Sequence, residues 1–276
     1  MMDLIRIELF KIYRQRKTFY AIAAIFVLEA FIMVSAYFQG REFLDILLEN
    51  LRESFEFRGD LLNGNLIIYL VLNSFWFHIP LILMIVVSGF LTSEYKDRTV
   101  EAVLLQPVSK FRFITAKYLS ALIFTLFILG ILVISTFVLA YTFFGTGDLV
   151  VFLDGLSFFE SREAFTRLAY AFLIGSVTMI FYAVVSLTLA VLLQEATITW
   201  ILAALFLIGT TLFLRLEFES DLMEYYFFPK LTDSWQYLFY AEIPQGVILK
   251  KNVALLLYTL IIGWIGIRVF QKRDIS

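Results

Sequence analysis

The sequence predicts an all-α membrane protein with six transmembrane helices, and three observations support this fold class. Hydrophobic residues make up 61% of the 276 residues, whereas soluble globular proteins contain roughly 45–50%. Charged residues make up only 17%. Six segments approach the about 20 apolar residues that a helix needs to cross a bilayer. Together these observations exclude a soluble globular domain as the main body of the chain.

The six predicted spans lie at 18–38, 66–92, 118–143, 168–193, 197–214 and 252–269. The first contains Glu29, and its apolar run is longer than the core of a signal peptide, so we expect a retained helix. The sixth reaches full length only if Lys250, Lys251 and Arg268 extend to the headgroups. No linker rich in Pro, Gly or Ser divides the chain, so residues 1–276 are predicted to form a single transmembrane domain.

Basic residues predict the orientation of the spans. Thirteen of the 22 Lys and Arg residues lie on the side of the two termini, and nine lie on the other side, spread over longer loops. Because basic segments next to spans stay in the cytoplasm, both termini are predicted to be cytoplasmic.

The segment before the first span, MDLIRIELFKIYRQRK, predicts an amphipathic helix along the inner leaflet. Four apolar residues recur at the spacing of one helical face: Ile5, Leu9, Ile12 and Tyr13. The basic residues beside them favour anionic headgroups. The alternative is a cytoplasmic extension of the first helix.

Three outer loops differ in character. The loop at about 39–65 is acidic and compatible with a helix, the loop at 146–167 is shorter, and the loop at 215–251 is aromatic. Its nine aromatic residues are Phe218, Tyr225, Tyr226, Phe227, Phe228, Trp235, Tyr237, Phe239 and Tyr240. Aromatic rings favour the membrane interface, so we predict that this loop lies on or dips into the outer leaflet. The alternative is a water-exposed loop whose rings pack on each other.

Several kinds of chemistry lack their residues in this chain. It contains no Cys and one His, which argues against a zinc site. None of its nine Lys follows a Gly, so it has no P-loop for ATP. A net charge of −2 argues against a nucleic-acid partner. The chain is therefore not expected to be an enzyme by itself, or to bind a cofactor or metal.

The connection between the second and third spans, GFLTSEYKDRTVEAVLLQPVSKFRFITAKYLSAL, predicts a short helix that begins near Thr99. Three apolar residues share one face of it: Val100, Val103 and Leu104. Pro107 would end this helix, and Ser109 can cap the helix that follows. A short helix joined by tight corners to two long spans would pass a push from a cytoplasmic partner to both. The alternative is a solvated loop with ordinary positive-inside charges.

This connection resembles that of the membrane subunits of type-2 ATP-binding-cassette exporters. The matching residues are Glu94, Arg98-Thr99, Leu104-Leu105, Pro107-Val108-Ser109-Lys110 and Lys117. The sequence departs from the pattern at Arg98, where a Gly is more common, which leaves the geometry of the turn open. Six spans, cytoplasmic termini, a basic amphipathic start and an aromatic loop before the last span extend the resemblance over the whole chain.

The resemblance implies a permease domain that works with separate partners in a prokaryotic-type cytoplasmic (inner) membrane. An ATPase subunit, which holds ATP and Mg, would dock under residues 94–117, and a second permease, another copy or a homologue, would complete the pathway. The implied coupling residues are Glu94, Arg98, Thr99, Val103, Leu104, Pro107, Lys110 and Arg112. Short outer helices would partly re-enter the membrane and close the exit, with Phe227, Phe228, Trp235 and Tyr237 as the outer gate.

Two ionisable residues lie within spans. Glu29 costs at least about 2.5–3.5 kcal/mol near the middle of a span, so it is expected to face protein or water. It is interpreted as a pathway or dimer-interface carboxylate, or as a structural residue bonded to a neighbouring helix. His78 lies two residues before Pro80, which can kink the second span. It is interpreted as a structural histidine or a proton relay.

The expected function is the permease subunit of an ATP-driven exporter. The cargo is expected to be amphipathic, lipid-like or peptide, because short spans and a loop that dips into the leaflet suit a substrate taken from the bilayer. The alternatives are a secondary transporter or channel that needs no ATPase, and a membrane scaffold that transports nothing.

Overall fold

The computed structural model describes residues 1–52, 60–153, 155–216 and 221–273. In chain order the elements are α1 (Met2–Arg14), α2 (Arg16–Arg52), α3 (Gly64–Lys96), α4 (Thr99–Leu104), α5 (Lys110–Phe144), β1 (Leu149–Phe152), β2 (Leu156–Phe159), α6 (Ser161–Leu193), α7 (Ala196–Leu214), α8 (Asp221–Tyr226), α9 (Phe228–Leu231), a 3₁₀ helix (Ser234–Phe239) and α10 (Gln245–Lys272).

Six of these helices, α2, α3, α5, α6, α7 and α10, are long and apolar enough to cross a membrane. The prediction of a multi-pass, mostly helical membrane protein is therefore confirmed. The helices α3, α5 and α6 have 33, 35 and 33 residues, or roughly 50 Å each, and extend beyond a hydrocarbon core of roughly 30 Å. The helix α2 reaches Arg52, into the predicted acidic loop, of which residues 53–59 lie outside the described residues.

The bundle is built around α3 and α6, and α6 is the most buried of the six long helices. The hydroxyl of Ser186 donates to Met84 O at 2.5 Å. Gly175 of α6 lies so close to the Trp76 ring that an added Cβ would be 2.2 Å from it. The two helices therefore approach each other closely where α6 has no side chain. By contrast, α2, α7 and α10 keep large apolar faces outside the core.

One end of the bundle, which we call the base, holds α1, α4, the start of α5 and the end of α10. Here the predicted local features are confirmed: α4 begins at Thr99 and ends before Pro107, and the Ser109 side chain caps α5 by accepting from Arg112 N. Of the predicted apolar face of α4, Val100 is buried, while Val103 and Leu104 are half-buried and pack against the core. The sequence did not decide the geometry of the turn at Arg98. In the structure its backbone is left-handed, with φ 53°.

The N-terminal helix α1 is separate from α2, because Gln15 between them is extended with ψ 136°. Its predicted apolar face packs on the bundle. Ile12 is buried, and the Tyr13 ring meets Phe127 of α5 edge-on at 4.9 Å. Ile7 and Phe10, which fall off that face, are exposed.

The opposite end of the bundle holds a β-hairpin and a segment of short helices. We call this helical segment, which comprises α8, α9 and the 3₁₀ helix, the cap. The hairpin pairs β1 with β2 antiparallel and, within the described residues, is the one departure from an all-α fold. Side-chain amides fix it to α3: Asn63 Nδ2 donates to Asp148 O, and Asn65 Nδ2 to Gly147 O, both at 2.7 Å.

Only two residues connect α6 to α7. Gln194 is left-handed with φ 59° and ends α6. The carboxylate of Glu195 caps α7 by accepting from Ile198 N at 2.6 Å and Thr197 N at 3.0 Å. These backbone donors stabilise the charged form and hold the pKa of Glu195 below its usual value.

Candidate functional site

Four charged side chains, which we call the charged cluster, meet where α1 crosses the ends of α3 and α5. Lys117 Nζ on α5 lies 2.5 Å from Glu8 Oε2 on α1 and 2.7 Å from Glu94 Oε1 on α3. Lys11 Nζ on α1 lies 3.0 Å from Glu8 Oε1 and 2.9 Å from Glu94 Oε1. Two lysines and two glutamates thus form a network without net formal charge that joins three helices.

The charged cluster is largely removed from water. Lys117 exposes 1% of its side chain, Glu8 8% and Glu94 11%, and Lys117 Nζ also donates to Phe90 O at 3.0 Å. Burial acts to lower the pKa of Lys11, but the charges of Glu94 and Glu8 outweigh this effect and raise it above the usual value. Because charges leave water only when they are paired, the cluster holds α1 rigidly against the ends of α3 and α5.

The outward side of α4 carries an isolated apolar side chain. Leu105, the residue after the helix, is 89% exposed. Its exposed neighbours include Glu101, Gln106 and Pro107. The base therefore presents an exposed leucine at the end of a short helix whose other face packs into the core.

The predicted coupling residues divide into two groups. Arg98, Thr99, Pro107 and Arg112 are exposed. The others contact their own chain: Glu94 lies in the charged cluster, Val103 and Leu104 pack on the core, and Lys110 Nζ donates to Arg273 O at 2.7 Å.

The end of α10 is tied to the base as well. Arg273 donates to Val191 O at 2.6 Å and to Leu192 O at 3.3 Å, at the end of α6. Cationic donors suit the unpaired carbonyls of a helix C-terminus. Together with the Lys110 bond, these contacts join α5, α6 and α10 at the base.

Glu29 is fully buried between α2 and α5. Its Oε1 accepts hydrogen bonds from Ser135 at 2.8 Å and Thr136 at 2.5 Å. Its Oε2 is buried with no hydrogen-bond partner among the described residues. In this chain Glu29 therefore faces a neighbouring helix.

His78 is exposed on α3, and its Nδ1 lies 2.7 Å from Ser74 O one turn away. Ser74 is exposed too, and both lie within a span. These residues form a small polar strip on an otherwise largely buried helix. His78 and Glu29 are not brought together, since one points outward from α3 and the other into the contact between α2 and α5.

The four predicted outer-gate residues lie in the cap and pack on the bundle. Phe228 stacks on Phe206 of α7 at 5.5 Å, and Phe227 meets Phe213 of α7 edge-on at 5.9 Å. Trp235 is buried, with its ring 4.8 Å from that of Trp76 on α3. Tyr237 accepts a hydrogen bond from Lys251 Nζ of α10 at 2.9 Å. Phe218 lies outside the described residues.

The cap is seated well down the bundle. Thr232 O accepts hydrogen bonds from Thr178 Oγ1 at 3.0 Å and Trp76 Nε1 at 3.2 Å. Thr178 lies 15 residues before the end of α6 at Leu193, so this contact is roughly 23 Å along the helix from the base. Arg167 also ties the cap to α6 through the carbonyls of Leu238 and Tyr240.

Two adjoining cavities lie under the cap. The larger, of about 440 Å³, is lined by Asn73, Trp76, Phe77, Tyr182, Thr211, Leu214, Arg215, Thr232, Asp233 and Gln236. The smaller, of about 160 Å³, contains Lys230 and Lys251 in its wall and shares Leu214, Asp233 and Gln236 with the larger. Asp233 thus stands between an aromatic chamber and a basic one.

Burial raises the pKa of Asp233 to about 7, against the opposing effects of the Lys251 charge, the Trp235 indole and the Lys230 charge. Neither this residue nor the role of Glu8 was predicted from the sequence. A signal existed for both: Glu8 falls on the apolar face of α1, and Asp233 interrupts an aromatic segment.

The chain is also similar to known proteins. A family model described as a protein of unknown function, DUF2705, matches residues 21–276. An uncharacterized protein of Bacillus subtilis strain 168, YhcI, is 25% identical over 201 residues, which cover 70% of this chain and 63% of YhcI. The chain thus spans less than two thirds of that relative, and neither description names an activity.

Proposed function

The chain belongs to the DUF2705 family, whose description assigns no function, and we propose that this member is the permease subunit of an ATP-driven exporter. A single observation carries the proposal. The short helix α4 presents the exposed Leu105 outward, while the charged cluster and the core fix its two flanking helices to α1. A push on α4 would therefore reach α3, α5 and α1 together.

We propose that the base is cytoplasmic, in the inner membrane of a prokaryotic-type cell. The excess of basic residues on the side of the termini supports this orientation. The cap then faces outward, and its contact with Thr178, roughly 23 Å from the base, supports helices that re-enter the outer leaflet. Exposed Ile7 and Phe10 give α1 an apolar side toward the inner leaflet.

The proposed complex contains two permease domains and two ATPase subunits. The ATPase subunits, which bind ATP and Mg, dock on the outward side of α4 and on Arg98 and Arg112. The second permease, another copy or a homologue, covers α2 and the polar strip of Ser74 and His78 on α3. Both α2 and this strip are exposed in a single copy of the chain. The cargo is amphipathic, and the cavity under the cap is the place where its polar part would leave.

A second candidate is a transporter driven by an ion gradient without an ATPase. The observation that favours it is Asp233, since burial raises the pKa of its carboxyl to about 7, where a proton is readily gained and lost. Transport by the purified chain in vesicles with a proton gradient and no ATP would favour this candidate over the exporter.

Purification of the full-length chain from its own cells tests the exporter. We expect an ATPase subunit in the complex and ATP hydrolysis by the purified assembly. Leu105→Asp should reduce recovery of that subunit about tenfold, because a charge replaces an apolar contact. Leu153→Asp, the same change at an exposed leucine of the hairpin, is the matched control and should leave recovery unchanged. A wild-type complex without an ATPase subunit would refute the proposal.

A further inference from the structure

The larger cavity under the cap has the size and the lining of a ligand site. Its volume of about 440 Å³ falls in the range of roughly 300–1,000 Å³ that is typical of such sites. Aromatic rings of Trp76, Phe77 and Tyr182 form part of its wall, and its two charged residues, Arg215 and Asp233, have opposite signs. A ligand that complements both residues carries one group of each charge, and the charge on Asp233 is also opposed by Lys251 and Lys230 from the smaller cavity.

Asp233 lines this cavity and carries an unsatisfied acceptor next to it. Its Oδ1 is buried and, among the described residues, has no hydrogen-bond partner, which is costly for a carboxylate. The charge of Lys251 acts on Asp233 from the smaller cavity. A primary ammonium in the larger cavity would bring three N–H donors, and ammonium groups are also attracted to aromatic faces. The rings attract ammonium groups in general, and the acceptor favours one that carries N–H donors.

Arg215 supplies the complementary charge. It follows the last residue of α7 and is exposed, so it stands at the mouth of the cavity rather than in its floor. A guanidinium binds phosphate through two parallel N–H donors. The rest of the wall includes neutral hydrogen-bonding side chains of Asn73, Thr211 and Gln236.

We infer that the larger cavity binds a zwitterion in which a primary ammonium contacts Asp233 and a neighbouring phosphate contacts Arg215. This deepens the proposed function, on which it rests for the role of the ligand as cargo, and it narrows the cargo to molecules with an ammonium-phosphate headgroup. Two sources carry this chemistry: phosphatidylethanolamine in a lipid phase, and soluble phosphoethanolamine.

Thermal unfolding of the purified full-length chain in detergent tests the inference without any ATPase. A ligand that binds the native state raises the unfolding midpoint in a saturable way. We expect dihexanoyl-phosphatidylethanolamine to raise it. Dihexanoyl-phosphatidylcholine, whose quaternary ammonium has no N–H to donate to Asp233, should bind with an apparent affinity about tenfold weaker. Asp233→Asn and Arg215→Gln should each weaken the apparent affinity about tenfold. Glu242→Gln, an exposed acid of the same connection outside the cavity wall, is the control.

The outcomes separate the ligand source from the chemistry. A response to soluble phosphoethanolamine equal to that of the lipid assigns a free zwitterion, and a response to the lipid alone assigns a headgroup with its chains. Equal responses to the two lipids, or affinities unchanged in both variants, would overturn the inference. If Asp233→Asn does not fold, the exposed Arg215 variant decides. Because no ATPase is present, failure here leaves the exporter test intact, and failure of that test leaves this binding result standing.

Discussion

At the scale of single residues, Lys117 holds the base together. It lies on α5 and pairs with Glu8 of α1 and Glu94 of α3, and it is the most deeply buried member of the charged cluster. Replacement of a buried pair by apolar residues is often tolerated, whereas removal of one partner leaves an unpaired charge. The cluster therefore constrains geometry more than it adds stability.

Lys117→Met should lower the free energy of unfolding by about 3–5 kcal/mol, because Lys11 is then the one lysine left in the charged cluster and a buried negative charge stays unpaired. The thermal midpoint in detergent measures this effect. Lys272→Met, an exposed position on α10, is the control and should change little. Adding Glu8→Gln to the Lys117 variant leaves Lys11 paired with Glu94 and should restore much of the loss. A Lys117→Met protein as stable as the wild type would show that the cluster does not form.

At the scale of elements, the corner between α3 and α4 is strained by its side chain. Arg98 has φ 53° and ψ 21°, a left-handed conformation that costs a residue with a Cβ roughly 1–2 kcal/mol. The membrane subunits of type-2 ATP-binding-cassette exporters, which this connection resembles, more commonly have a glycine at this position. The arginine thus keeps the conformation of a glycine turn, together with an exposed positive charge.

Arg98→Gly should raise the stability of the protein by about 0.5–1 kcal/mol, since relief of the strain exceeds the added entropy of the unfolded chain. The midpoint of chemical or thermal unfolding measures it. Asp97→Gly is the matched control, because Asp97 itself has φ −87° and gains nothing from a glycine. We expect that control to lose stability. A loss in both variants would contradict the strain at Arg98.

At the scale of the whole molecule, the folded protein should be more stable at acidic pH, because of Asp233 in the cap. The ordinary pKa of an aspartate is 3.8, and burial raises that of Asp233 to about 7 in the folded protein. The native state therefore binds a proton that the unfolded chain has released between these values. The stability that this proton contributes is fully present below pH 3.8 and is lost as the pH rises through 7.

Unfolding midpoints at pH 8 and pH 5.5 check this dependence. The wild type should gain a few degrees more than Asp233→Asn on acidification, because only the wild type takes up this proton. Comparing the two proteins removes the contribution of all other titrating groups. An equal gain in both would mean that Asp233 keeps an ordinary pKa.

Much of this architecture could be predicted because it is encoded locally. The long helices follow from runs of apolar residues. The helix α4 and the Ser109 side chain at the start of α5 follow from a few adjacent positions. The charged cluster could not be predicted, since Lys117 and Glu8 are 109 positions apart and only packing brings them together. The cap shows both cases: its aromatic residues indicated contact with an apolar environment, but the cavity and the place of Asp233 depend on how α3, α6 and α7 meet.

The two-residue connection between α6 and α7 sets how the bundle can deform. Glu195 fixes the start of α7 next to the most buried helix, while the other end of α7 borders the chamber beneath the cap. The 19 residues of α7 form a helix roughly 28 Å long. With Glu195 as its fulcrum, a swing of about 10° would carry Leu214 and Arg215 sideways by about 5 Å, so a small rotation near the base is enough to change the width of the chamber mouth.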